Sequence, residues 1–267
     1  MIRHIEDTAV LKALAFLDED PLFPRLAVNV AAYGFSSPFF DLWVQQIEEE
    51  PVAVMGRLDG QMTLVARDGF DAGELALFLQ AVGFETMLCK CEAARRLPFF
   101  RAQTAVLLRR EKPVSPVETG LALDWAPSPR TLYALLKTCA GTSIRLPPFD
   151  GWYVDVSHKL RRGLIRAVIA HEGGEPVGCA MTVGESEGQA LLSAVAVVPE
   201  HRGHGYGRAL VDAMSKTLQK AGKRVFLLRD ASENEAFYRS LGFEALEAYV
   251  FLGPGMKGEA NGQQTAF

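Results

Sequence analysis

Between Ala190 and Lys220 the hydrophobic period of the chain changes, and the change is built around one proline and three glycines. Ala190–Val198 is an apolar run interrupted only by Ser193, and Pro199 stops it. Gly203, Gly205 and Gly207 follow at alternate positions, in the company of His201, Arg202 and His204. From Arg208 onward Leu210, Val211, Met214 and Leu218 form a stripe of helical period, while Arg208, Asp212, Lys216 and Lys220 take the other face. A strand that gives way to bare glycines and then to a helix is an anion site in outline. The first amides of a helix have no partner inside it, and its dipole favours negative charge. Glycine lets the backbone approach a phosphate with no Cβ between them. Arg202 and Arg208 add positive charge at the rim.

The flanking sequence predicts a mixed α/β fold. Upstream, Leu164–His171, Val177–Val183 and Ala190–Val198 read as three strands joined by turns at 172–175 and 184–188. Before them, Leu121–Trp125 reads as a strand, and Ser128 caps a helix through Leu132, Leu135 and Leu136. The segment after Pro147-Pro148, with Trp152, Tyr153, Asp155 and His158, reads as a packed hydrophobic turn. Downstream, Val225–Leu228 is a strand, and Ser232 with Glu235 three residues on predicts a capping box. Gly242 closes the short helix with Phe243 packing back, and a last strand runs to about Phe251. The glycine-rich, polar tail 253–267 is expected to fray.

Two prolines, a charge cluster and a glycine in 109–120 mark a linker. It predicts a smaller α/β domain at 1–110, a connection at 111–120 and a second domain at 121–252. The 267 residues suffice for two modest cores. The first half echoes the second. Glu50-Pro51-Val52 parallels Glu175-Pro176-Val177, and a helix with Leu75, Phe78, Leu79 and Val82 ends at Gly83-Phe84-Glu85 much as the later one ends at Gly242-Phe243-Glu244. This is the pattern of a degenerate repeat. Asp68-Gly69-Phe70-Asp71 stands where the glycine loop would be, and its acids would repel phosphate. Tyr33, Phe35, Phe39, Phe40 and Trp43 read as core or domain interface.

Two nucleotide loops are excluded. A P-loop needs Gly-Lys-Ser/Thr, where this chain has Gly207-Arg208-Ala209, and G-x-G-x-x-G does not fit glycines spaced two and two. Arg202, Gly205 and Gly207 do satisfy Arg/Gln-x-x-Gly-x-Gly, and Tyr238-Arg239-Ser240-Leu241-Gly242-Phe243 matches a Tyr-x-x-Leu-Gly-Phe ending. With both signatures in order, residues 120–251 resemble the GCN5-related N-acetyltransferase (GNAT) superfamily. The resemblance implies an acyl-CoA N-acyltransferase-like fold: a mixed, mostly antiparallel sheet flanked by helices. It implies acetyl-CoA as co-substrate and direct acetyl transfer to a primary amine on a small molecule or peptide. Backbone at Val195, Ala196 and Val197 would pair with the pantetheine arm, and the amide near Val197 would polarise the thioester carbonyl. Amides of Gly203, His204, Gly205, Tyr206, Gly207 and Arg208 would hold the pyrophosphate, with Arg202 beside them. Tyr238 would protonate the departing thiolate, with core packing as its alternative role. Asn234 would bond the coenzyme, at a gap of four residues before the Tyr where many relatives have seven. By the same resemblance the segment with Trp152, Tyr153, Asp155 and His158 would wall the acceptor site, as the alternative to a packed turn. Many relatives carry a carboxylate base on the strand before the loop or on the next one. Leu191–Val195 and Val225–Leu228 offer none, leaving a water chain, Glu233, Asp155 or His158. A non-catalytic acyl-CoA-binding module on the same fold is the competing class.

A net charge of −4 gives no basic excess for nucleic acid or an acidic membrane surface. The N-terminus lacks an uninterrupted apolar segment of the secretory kind, and no apolar run reaches membrane-spanning length, so a cytoplasmic location is expected. Four cysteines make no disulfide framework; Cys139 and Cys179 read as core, and Cys89 and Cys91 as buried thiols. His201 and His204 lack a third ligand, so no metal is expected. Three roles stay open for the N-terminal half: covering the acceptor site, forming a homodimer contact, or stabilising the fold.

Overall fold

The computed structural model describes residues 1–7, 19–112, 119–139 and 146–256. Most of the predicted connection, 113–118, and the tail from 257 lie outside them. The chain forms two compact units. One comprises Met1–Ala15, Phe35–Ala105 and Ala248–Phe267; the other comprises Phe16–Gly34 and Val106–Glu247.

In the first unit, strands β1 (Ile2–His4), β2 (Phe40–Ile47), β3 (Glu50–Leu58) and β4 (Gln61–Ala66) pair antiparallel in chain order. Helix α2 (Ala72–Val82) then carries the chain over to β5 (Thr86–Lys90), parallel to β4. A short helix, α3 (Cys91–Arg96), leads to β6 (Phe99–Arg110). Trp43, Met55, Leu64, Leu75, Leu79 and Phe99 anchor this core. The predicted helix through Leu75, Phe78, Leu79 and Val82 is α2; Leu75 and Leu79 are buried on the sheet.

The second unit repeats that order around the glycine loop. Strand β7 (Ala122–Asp124) and helices α4 (Pro129–Cys139) and α5 (Phe149–Arg161) precede an antiparallel run of β8 (Ala167–Glu172), β9 (Glu175–Glu185) and β10 (Gln189–Val197). Helix α6 (Tyr206–Lys220) crosses to β11 (Arg224–Asp230), parallel to β10. A short helix, α7 (Glu235–Ser240), leads to β12 (Phe243–Met256). Alternation along the strands sorts two cores onto opposite faces of the sheet. Val168, Ala170, Ala190, Leu192 and Leu227 pack under Leu210, Val211, Met214 and Leu218 of α6. Ala167, Ile169, Cys179 and Met181 pack under α4 and α5, with Val28 of helix α1 (Phe23–Tyr33).

The units interleave along the chain, where the linker composition suggests a single cut at 111–120. Residues 106–110 of β6 belong to the second unit, and β12 from Ala248 belongs to the first, where it pairs with β5. Helix α1, from the N-terminal third, belongs to the second unit because Val28 enters its core and the start of the helix lies on β9. A Cβ on Gly184 would collide with the Pro24 carbonyl. The structure corrects two further expectations. Residues 149–161 form α5, not a hydrophobic turn: Phe149, Trp152, Tyr153, Val156 and Leu160 recur at helical spacing. Residues 253–256 continue β12 instead of fraying.

Candidate active site

Two pairings hold β10 at its start and only one at its end. Gln189–Leu192 lies parallel to Arg224–Leu227, and that pairing stops at Leu192↔Leu227. β10 continues along β9 to Ala196↔Cys179 and Val197↔Gly178. The break coincides with a register shift between Ser193 and Ala196, where Ala194 takes a left-handed φ of 47°. A bulge adds a residue and re-aims all that follow. Before it, Ala190 and Leu192 face the α6 core; beyond it, Ala194 and Ala196 face the α4–α5 core. The sequence carries no signal for this bulge, since alanine rarely adopts positive φ.

A cavity of about 800 Å³ opens where the strands part. Val195, Ala196 and Val197 line one wall, with Ser193 and Ala194 at the bulge. Arg202, Gly203, Gly205, Tyr206, Gly207 and Arg208 line one end, while His204 is absent from the wall. Gly203 and Gly205 hold φ of 83° and 82°, a left-handed geometry that strains most residues with a Cβ, Asn and Asp least. Gly205 is the N-cap of α6 and supplies no side-chain acceptor, and the first turn of the helix has no acid. The leading amides therefore lack the carboxylate that commonly satisfies them. Arg202 Nε donates to the Val197 carbonyl at 3.1 Å, tying the loop back to the strand. Arg208 Nε is buried without a hydrogen-bond partner, a donor on a residue of the cavity wall.

The opposite wall comes from β11 and α7. Tyr238 lies on it, half-buried, its ring edge-on to Phe237 and Phe243. Burial pushes its phenol up to about 12, so it keeps its proton at neutral pH. Asn234 also lines the cavity, at a left-handed φ of 60° as the N-cap of α7. The predicted capping box is not formed. Asp230 captures Ser232 instead, accepting from its amide at 2.9 Å and its hydroxyl at 2.5 Å. The buried Arg229 guanidinium donates to the carbonyls of Asp230, Ala231 and Glu233, at 2.8, 2.9 and 3.1 Å. It shapes the turn that presents Asn234, and the sequence reading missed it because a strand-end arginine looks like any solvated one.

The expectation that neither strand carries a carboxylate is corrected for β11. The strand runs two residues past Leu228, and Asp230 joins Glu233 on the cavity wall. The other two candidate bases lie away from that wall. Asp155 binds the Tyr33 hydroxyl and Lys159 Nζ, the latter at 2.7 Å, and His158 Nε2 meets the Ala32 carbonyl at 2.9 Å. Cys139 is buried as expected, yet it borders the cavity. Among the described residues no group of three or more His, Cys, Asp or Glu side chains could hold a metal ion, and no helix is long and apolar enough to cross a membrane.

Residues 164–245 match the family model described as an acetyltransferase (GNAT) domain. Solved structures agree on the fold across nearly the whole chain. A GCN5-related N-acetyltransferase from Sphaerobacter thermophilus superposes with a TM-score of 0.64 at 17% identity, covering 94% of each chain. A tandem GNAT protein from the clavulanic acid biosynthesis pathway gives 0.60 at 16%, over 96% of this chain and 98% of that one. A GNAT-family acetyltransferase from Colwellia psychrerythraea gives 0.58 at 12%, over 95% and 99%. At these identities the structures testify to fold alone, and the family model adds the segment that holds the parted strands, the glycine loop and Tyr238. Residues 164–245 are a GNAT acetyltransferase domain, set in an acyl-CoA N-acyltransferase fold.

Proposed function

We propose that the protein transfers an acetyl group from acetyl-CoA directly to the primary amine of a small molecule or peptide. The observation that carries this reading is the cavity between β10 and β11, with bare helix-leading amides at one end and a protonated tyrosine on its wall. Its volume is that of a site for one extended small molecule. The diphosphate takes the amides of the loop, with Arg208 Nε as a further donor. The pantetheine amides add to the open backbone edge of Val195–Val197 as an extra strand would.

The amine, having lost a proton to water or to a wall carboxylate, attacks the thioester carbon. A backbone amide near Val197 stabilises the oxyanion that forms. The carbon–sulfur bond then breaks, Tyr238 gives its proton to the leaving sulfur, and the nitrogen releases its second proton. The products are an acetamide and free CoA. The reaction needs no metal and no acyl-enzyme. Asp230 and Glu233 are the carboxylates placed to accept a proton. Their roles separate in pH–rate profiles of Asp230→Asn and Glu233→Gln.

The test is turnover of acetyl-CoA with a panel of polyamines, amino sugars and peptide N-termini, following thiol release and acetylated product together. Stoichiometric product and thiol support the reading. Tight acetyl-CoA binding without turnover across the panel would replace it with a coenzyme-binding module.

A further inference from the structure

Four residues separate His201 from Tyr206, and two of them, Gly203 and Gly205, are glycines at left-handed φ. Such a loop loses more conformational freedom on ordering than a glycine-free segment of its length, so something must hold it. Its own hydrogen bonds are local: His201 N to the Val198 carbonyl at 2.9 Å, Arg202 N to Pro199 at 3.2 Å, Arg202 Nε to Val197, and His204 Nδ1 with the His201 carbonyl at 3.3 Å. The two flanks meet at one side chain from another strand. Glu172, the last residue of β8, accepts from the Tyr206 hydroxyl through Oε1 and meets His201 Nδ1 at 3.0 Å through Oε2. The Tyr206 ring is itself buried against the α6 core and is flanked by the His201 and His204 rings, at 6.4 and 5.7 Å between centroids.

We infer that Glu172 is a positioning residue for coenzyme binding, a carboxylate on the β8–β9 turn that ties both flanks of the glycine loop so that its amides are ordered before the diphosphate arrives. The inference rests on the acetyl-CoA reading above. The tie endures across neutral pH. The phenol's hydrogen bond, with the imidazole contact beside it, holds the Glu172 carboxyl below the usual range, and the same bond raises Tyr206. The sign of the effect separates positioning from charge. A half-exposed carboxylate beside a diphosphate repels it weakly, so removing a mere charge would tighten binding. Removing a tie weakens it, because ordering the loop is then charged to the binding step.

The experiment is calorimetric titration of the full-length protein with acetyl-CoA and, separately, with acetyl-pantetheine, which carries the thioester arm and no diphosphate. Glu172→Ala and Tyr206→Phe each weaken acetyl-CoA binding about tenfold, the worth of one charge-assisted hydrogen bond. The double variant is no weaker than either single one. Glu172→Gln, which can still accept from the phenol, recovers part of the loss. Affinity for acetyl-pantetheine is unchanged throughout, a split that general loss of structure does not produce. Unchanged or tighter acetyl-CoA binding by both Glu172→Ala and Tyr206→Phe overturns the tie while leaving the proposed function in place. Equal losses for the two ligands overturn it as well. Failure of the unsubstituted protein to bind acetyl-CoA overturns the proposed function and the tie together.

Discussion

The two units share a run of elements and part ways at one junction within it. In each, three antiparallel strands lead into a helix that crosses to a parallel fourth: β2–β3–β4–α2–β5 in the first, β8–β9–β10–α6–β11 in the second. The helix N-termini are treated in opposite ways. Asp71 caps α2, accepting from the amides of Gly73 and Glu74 at 2.9 and 3.0 Å, and Glu74 adds a second acid in the first turn. The buried Gln45 closes the junction, exchanging hydrogen bonds with the Asp71 backbone and donating to Glu74. In the second unit Gly205 leaves the same amides without a cap. One topology therefore yields either a sealed structural corner or an uncapped helix start, which the proposed function makes an anion site, and the N-cap residue decides which. A side-chain carboxylate and a ligand phosphate compete for the same donors.

The comparison can be broken most severely by making the second junction like the first. Gly205→Asp places a carboxylate at the α6 N-cap in a left-handed geometry that Asp tolerates. Acetyl-CoA binding should weaken about a thousandfold, some 4 kcal/mol, through the lost approach and the added charge, while the melting temperature holds. Next in size, Tyr238→Phe should lower kcat about a hundredfold and leave the coenzyme Kd unchanged, as befits a proton donor. A Tyr238 that only packs would leave kcat alone. The pH dependence sharpens this assignment. With its phenol at about 12, Tyr238 donates equally well at neutral and mildly alkaline pH, and its contribution is lost as the pH climbs toward that value.

In the first unit, Asp71→Ala should cost about 1 kcal/mol of stability, seen by chemical denaturation, without creating acetyl-CoA affinity. The smallest effect is expected of Gly207→Ala. Its Cβ would sit 3.5 Å from Phe237 and Val197, ordinary contacts at a position with no positive φ, so Kd should change by less than about threefold.

The sequence displayed the parts of the site that depend on local chemistry. Periodicity located β8 to β10 and α6, and the glycines with Arg202 located the loop. What it concealed depends on residues far apart. The bulge at Ala194 exists because β10 must follow β9 after leaving β11, a demand that no local composition announces. The tie from Glu172 crosses 34 positions to Tyr206, and in the sequence Glu172 is one more polar turn residue. Helix α1 and the shared strands β6 and β12 interleave the units because burial rewards contact without regard to chain order. Helix α5 is a different case: its aromatic residues stood at helical spacing, and the prolines before them, which suit a helix start, read as a loop.

In the proposed function, uncapped amides at the start of α6 bind the coenzyme diphosphate. Isothermal titration of acetyl-CoA into the unsubstituted protein and into Gly205→Asp, each checked for folding by its melting curve, tests it most directly. The expected result is saturable one-to-one binding that the substitution weakens about a thousandfold in a folded protein. Equal affinity in the two proteins, or no binding in either, would contradict it.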